Sequence, residues 1–435
     1  MLSPNFAMMV RVRGEVSVEQ LSTALSRVRV RHPALAPTAA TSGNEVLFPL
    51  SVRAARPSWS GTRVPGFNGD PGRADCGDGE WIEIAQAELR EPFSDQSGPF
   101  ARFTLLQRAE GFDLVATFHH RICDGMSGMF FLRDLLQVLG DPQLELAPLS
   151  APPPTSALIP HAVLTNPQLQ RKVGFAVAML RAHILLGKVR RRLSPPKPAD
   201  LLPTQNLSAE NPPPEQQFII LPGRLTVSQT AALVARCKKE QVSVHAAVCT
   251  AWLRAFIDGA TKSHSRTISS PVNLRSRLSP PVGETSGGFL SIVETTVNCA
   301  PERNFWDIAR EFKKNLSHGS RDEALFFMPL MFSKIFTQIP RGDLELMLPF
   351  FFGRPVKYDF SITNLGRLPI PERSGALQVE AFYGPLVNSS AYERTVGVST
   401  LADQMSFAFI FRKSMLEPAH GQELMERALG LLSRG

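Results

Sequence analysis

The stretch 115-VATFHHRICDGMSGMFFLRDLL-136 changes its period half-way, and that change decides the fold. Up to His120 the residues alternate. Phe112, Leu114, Ala116, Phe118 and His120 share one face of an expected strand, and Asp113, Val115, Thr117 and His119 share the other. After Asp124-Gly125 the apolar residues Phe131, Leu135 and Leu139 recur at helical spacing, with Gly140 placed to end the helix. Both histidines therefore sit where a strand ends and a turn leads into a helix.

Upstream, 99-PFARFTLLQRAEGFDLVATFHH-120 reads as a hairpin turning at Glu110-Gly111. A helix is expected from Ser17 to about Arg31, because Ser17 and Gln20 form a capping box ahead of Leu21, Ala24, Leu25 and Val28. The segment 32-HPAL-35 should end it. The second half opens on a strand at Gln217–Leu221 and two helices, one carrying Leu233 and Cys237, the other starting near Ser243. Strand-like runs recur at Thr267–Val272, Phe289–Val297 and Ser406–Phe411. This alternation argues an α/β architecture with two sheet-containing domains. The proline-rich patches 195-PPKP-198 and 212-PPP-214 mark a crossover linker at 194–216, between an N-terminal domain (1–193) and a C-terminal domain (217–435).

Composition bounds the function. The chain has 435 residues, 43% hydrophobic and 20% charged, which is globular, and a net charge of +8 that suits an acidic partner. No aromatic-basic interleaving points to nucleic acid. The five cysteines are scattered without a CxxC, so neither a disulfide framework nor a zinc site is expected and a reducing cytoplasm fits best. The N-terminal apolar run is too short for a signal peptide, and no stretch reaches the ~18 apolar residues of a membrane span.

Metal binding is the simplest reading of paired histidines, but consecutive strand residues point to opposite faces, and no HExxH or cysteine cluster completes a ligand set. Cys123 lies close enough in sequence to be weighed as a nucleophile, against a bland reading as a small packing residue. General-base catalysis needs one well-placed imidazole, and His120 suits it; a satisfied, buried His120 is the alternative. His119, on the other face, reads as a packing or hydrogen-bonding residue.

The motif 119-HHRICDG-125 resembles the HHxxxDG signature shared by chloramphenicol acetyltransferase, peptide-synthetase condensation domains and, in shorter form, plant BAHD acyltransferases. Three further segments resemble elements of condensation-like proteins in the same order: 31-RHPAL-35, 271-PVNLRSRL-278 followed by 287-GGF-289, and 361-SITNLGRL-368. The plant DFGWG motif is absent. The nearest likeness is to free-standing acyltransferases similar to phthiocerol dimycocerosyl transferase and the alcohol acetyltransferases.

This resemblance implies a pseudo-dimer of two chloramphenicol-acetyltransferase-like domains, with mixed sheets flanked by helices and an active-site tunnel at their interface. His120 would be the general base. Asp124 would be architectural, paired with Arg275 or, as second choice, Arg277. The Gly125 N–H, or Thr363 and Asn364, would face the oxyanion. No bound cofactor is implied. An acyl-CoA or acyl-carrier-protein thioester would be co-substrate to a hydroxyl or amine acceptor, with an acidic carrier protein as a partner and the enzyme monomeric. Ester formation is the leading expectation. A free-standing condensation enzyme making amides and a non-catalytic recruitment module are the rivals. The apolar runs 325-LFFMPLMFSKIF-336 and 348-LPFFFG-353 read as ordinary core or as a channel for a long acyl chain. The segment 168–193, apolar and then basic, reads as a helix packed on its domain or as a peripheral membrane contact.

Overall fold

The computed structural model describes residues 5–35, 50–54, 79–93, 100–120, 122–193, 217–257, 264–340, 343, 358–387 and 394–434. The expected crossover at 194–216, the apolar run 348–353 and Cys76 lie outside them.

Two six-stranded mixed sheets form the frame. The first contains β1 (Asn5–Arg13), β2 (Leu50–Ala54), β3 (Ala101–Arg108), β4 (Gly111–His119), β9 (Arg373–Ser374) and β10 (Leu377–Val387), in the order β2-β3-β4-β1-β10-β9. The second contains β5 (Phe218–Arg224), β6 (Ser265–Asn273), β7 (Leu290–Asn298), β8 (Phe360–Arg367), β11 (Arg394–Leu401) and β12 (Gln404–Arg412), in the order β5-β12-β11-β8-β6-β7. Strands β9 and β10 come from beyond residue 217 yet complete the first sheet. Both sheets therefore draw on the sequence beyond residue 217.

Helix α1 (Val18–Arg31) begins at Ser17, whose Oγ accepts the Gln20 N–H at 3.0 Å while Gln20 Oε1 accepts the Ser17 N–H at 2.8 Å. With α3 (Gly125–Gly140) it covers one face of the first sheet, around Phe6, Phe118, Phe131 and Leu135. Gly140 is the last helical residue, and Asp141 takes the cap position expected of it. The opposite face packs on α2 (Glu80–Arg90) and on Phe218, Ile220, Ala408 and Ile410 of β5 and β12, so one apolar layer joins the two sheets. The sheets approach closely at Gly397 of β11, where a Cβ would lie 2.3 Å from the Pro385 carbonyl oxygen of β10. Any side chain there would wedge the halves apart.

The short α4 (His161–Leu164) leads into α5 (Pro167–Leu193). Helices α6 (Val227–Lys239), α7 (Val244–Phe256) and α8 (Phe305–Gly319), with the C-terminal helix α11 (Pro418–Arg434), cover the second sheet around Trp252. The short α9 (Asp322–Leu325) precedes α10 (Phe327–Gln338). Leu325, Phe326, Leu330, Met331 and Ile335 pack with Val173, Val177 and Leu180 of α5 as core.

Candidate active site

Strand β4 carries the motif to the junction between the halves. Its alternation sends Phe118 into the layer beneath α3 and His119 to the other side, where the His119 ring meets Phe93 and Phe100 at centroid distances of 5.6 and 5.8 Å. His119 is buried.

His120 leaves the strand and is half-buried beside Phe6 of β1, with ring centroids 5.1 Å apart. Its Nδ1 lies 3.1 Å from the Cys123 carbonyl oxygen. A carbonyl only accepts, so this bond assigns the proton to Nδ1 and leaves the lone pair on Nε2. Among the described residues no hydrogen-bond partner holds Nε2. Burial pulls the His120 pKa below its ordinary 6.5; the Asp124 charge and the bond to the Cys123 carbonyl oppose this without reversing it. The result is a neutral imidazole with a free basic nitrogen, the state a general base requires.

Asp124 caps α3, its Oδ1 accepting the Ser127 N–H at 2.8 Å. It also accepts Arg275 Nη1 at 2.7 Å, Arg275 Nη2 at 2.9 Å and the Phe289 N–H at 2.9 Å. With Ser127 Oγ, 2.9 Å from Oδ1, five donors surround this buried carboxylate, which leaves it no reach toward substrate. Arg275 further donates to Ser127 Oγ at 2.7 Å and stacks over the Phe289 ring at 5.0 Å. Arg277 pairs instead with the exposed Asp322 at 2.8 Å, far from the motif in the network. The Asp124 N–H bonds the Gly287 carbonyl at 3.1 Å, so backbone and side chain together clamp the motif to the 275–289 segment.

Gly125 is the first residue of α3. A Cβ there would lie 2.9 Å from Pro385 and 3.1 Å from Leu365. Glycine is needed because β8 and β10 approach the helix start closely. Leu365 packs toward the first half while Phe360 and Ile362 face the second core, so Thr363, two residues from Leu365, shares its face. The Asn364 side chain turns back to accept the Gly366 N–H at 2.8 Å. Among the described residues no hydrogen bond joins Thr363 or Asn364 to His120.

Cys123 is fully buried, and burial followed by the Asp124 charge drives its thiol pKa well up. It is a packing residue with no thiolate to offer. Cys123→Ala is expected to retain at least about half of the wild-type turnover, measured by thiol release, since no proton or bond of the reaction would pass through sulfur; a folded but dead variant would return the thiol to the mechanism.

A second cluster escaped the sequence reading. His32 Nε2 lies 2.9 Å from Asp134 Oδ2, and His32 Nδ1 lies 3.0 Å from Ser286 Oγ. The three side chains have the composition of a serine-hydrolase triad, but all are sealed, at 0%, 0% and 2% exposure. No substrate reaches them. With Arg31, Arg133 and Glu284 they dock the 275–289 segment on the first half. The signal was present: Asp134 is a lone acid inside the apolar helix pattern FFLRDLL.

A cavity of about 1010 Å³ opens between the sheets at the other end of β1, lined by Arg11, Arg13, Trp81, Arg224 and Glu380 among others. His120 does not line it. Asn5 pairs with His119 and Arg13 with Gly111, so the two ends of β1 lie about 26 Å apart.

Residues 216–412 match the family model described as phthiocerol/phthiodiolone dimycocerosyl transferase C-terminus. Among solved structures, polyketide synthase associated protein 5 from Mycobacterium tuberculosis is similar over 99% of this chain and 93% of its own, with 17% identity and a TM-score of 0.60. Trichothecene 15-O-acetyltransferase from Fusarium sporotrichioides covers 99% and 90%, with 12% identity and a TM-score of 0.66. The first condensation domain of the CDA synthetase covers 99% and 90%, with 14% identity and a TM-score of 0.61. The chain has the condensation-domain-like fold. The likeness runs through both sheets, as the sequence resemblance led us to expect for an α/β pseudo-dimer. No curated relative matches the sequence.

Proposed function

We propose that this protein is an acyltransferase that moves an acyl group from a thioester to an acceptor hydroxyl, with His120 as general base. The observation that carries this reading is the His120 imidazole, with Nδ1 committed to the Cys123 carbonyl and Nε2 free at the junction of the halves. The acceptor O–H would attack the thioester carbonyl while Nε2 takes its proton. The tetrahedral intermediate would then expel the thiolate, which recovers that proton from the imidazolium. One C–O bond forms, one C–S bond breaks, and no acyl-enzyme intervenes. Gly125, at the N-terminus of α3, would offer its backbone N–H to the developing oxyanion, with Thr363 as the side-chain candidate.

The names of the matched family model and of the trichothecene 15-O-acetyltransferase support an ester product; the condensation-domain neighbours keep an amide product as the second reading. Acyl-CoA and acyl-carrier protein, each offered with an alcohol and an amine, separate these by mass spectrometry of the product. If neither thioester is consumed above the buffer rate with any acceptor, the reading fails.

The pH profile offers a further check. A base is active when unprotonated, and burial lowers the pKa of His120, so the acid limb of kcat/KM should be centred below pH 6.5. An acid limb centred above 6.5 would assign the base elsewhere.

A further inference from the structure

Helix α5 buries Leu169, Val173, Val177, Leu180 and Ile184 against α10. At about 100° per residue these point in one direction, and Phe175, Met179, Ala182, Leu186 and Val189 point in the other, about 180° away. This second stripe is bare: Phe175 is 70% exposed, Leu186 68% and Leu185 beside it 62%. Five of the chain's large exposed hydrophobics stand on this one helix. The stripe from Phe175 to Val189 is about 21 Å long and holds no hydrogen-bonding side chain.

Charge says what covers it. From His161 to Leu193 the sequence contains no Asp or Glu, and α5 carries Arg171, Lys172, Arg181 and Lys188 before ending in Arg190, Arg191 and Arg192. On the helical projection Arg171 continues the line of the stripe one turn before Phe175 and Lys172 borders it, while Arg181 and Lys188 lie further round, toward the buried face. Lys188 also pairs with Asp343 at 2.7 Å. No helix among the described residues is long and apolar enough to cross a membrane, and α5 is interrupted by its basic residues. An apolar stripe edged with cations on a helix that cannot span is suited to lie in the plane of an anionic interface.

We propose that α5 docks this protein on an anionic lipid bilayer, with Phe175, Met179, Leu185, Leu186 and Val189 inserted among the acyl chains and the flanking Lys and Arg on the headgroups. An acidic protein would match the cations but would leave this run of large aliphatic side chains without polar complement. The docking is independent of the chemistry at His120, which lies in another part of the fold, and would bring a membrane-held acceptor or product to the enzyme.

The full-length protein is floated with vesicles of phosphatidylglycerol and phosphatidylcholine, and with phosphatidylcholine alone, at low and high salt. Binding to the anionic vesicles, weakened by salt, is expected. Phe175→Ser with Leu186→Ser should weaken it by at least about tenfold for each lost side chain, with an unchanged thermal midpoint because both positions are exposed. Should that variant fail to fold, Arg171→Glu with Arg181→Glu tests the cations in the same assay. Three results overturn the proposal: no flotation with anionic vesicles at low salt, flotation unchanged in the variants, or a dimer in sedimentation that dissolves in Phe175→Ser, which would make the stripe an interface between copies. Turnover with a water-soluble acceptor should be unchanged throughout.

Discussion

His120→Ala should lower kcat/KM for acyl transfer by about 10²–10⁴-fold while the protein remains folded. The size follows from what the imidazole would supply. An acceptor hydroxyl is a poor nucleophile until its proton is removed in the transition state, and the Nε2 lone pair is the base that the geometry leaves free. Stability should change little, because His120 is half-buried, makes one side-chain bond to a backbone carbonyl and contributes one ring contact to Phe6. His120→Gln makes the comparison sharper, since it keeps a donor toward the Cys123 carbonyl but has no titratable nitrogen. Both variants should remain about 10²–10⁴-fold below the wild-type plateau at every pH, whereas a merely structural histidine would be rescued by the amide. Thioester consumption and circular dichroism on the same samples decide the matter. A folded His120→Gln enzyme with more than about a tenth of wild-type turnover would remove His120 from the chemistry. His119→Ala gives the complementary case: its ring packs between Phe93 and Phe100, so its loss should be read in stability more than in the pH profile.

The elements legible in the sequence were those with one buried face. Alternation in β4 separated His119 from His120, and the capping box at Ser17 fixed the start of α1, because local side-chain chemistry decides both. Strand β1 was not legible. It lies at the centre of its sheet, with Phe6, Met8 and Val10 in one core and Ala7 and Met9 in the other, so no polar alternation betrays it. Strand β10 was hidden for a different reason: its pairing with β1 spans most of the chain, and nothing local in 377–387 says which sheet it joins. The same limit applies to the site. The resemblance at 271-PVNLRSRL-278 offered two arginines two residues apart, and only the short 3₁₀ turn at Arg275–Arg277 decides that one points inward and the other outward. The buried His32–Asp134–Ser286 contact joins residues more than 250 positions apart, beyond the reach of any periodicity.

Arg275→Ala should destabilise the fold by about 3–5 kcal/mol, whereas Arg277→Ala should cost at most about 1 kcal/mol. The two residues are near neighbours in sequence and share one side-chain type, so the contrast isolates environment. Arg275 and Asp124 are 5% and 2% exposed, and the pair is bidentate at 2.7 and 2.9 Å. Removing the guanidinium leaves a buried carboxylate held only by neutral donors, the Ser127 and Phe289 N–H groups and the Ser127 hydroxyl, and also removes the stacking on Phe289. The Arg277–Asp322 pair is open to solvent on both partners, which screens its charges, and Asp322 stays hydrated when Arg277 is removed. Asp124→Asn tests the carboxylate from the other side: one amide oxygen can still cap α3, but the amide N–H groups then face the remaining donors. Loss of the clamp should also reach the reaction, because Asp124 fixes the turn that aims His120; kcat should fall with KM little changed, and the pH profile should keep its acid limb. Urea unfolding of the three variants reads the stability term directly. Equal losses for Arg275→Ala and Arg277→Ala, or an Arg275→Ala protein within about 1 kcal/mol of wild type, would show that the buried pair does not hold the halves together at the motif.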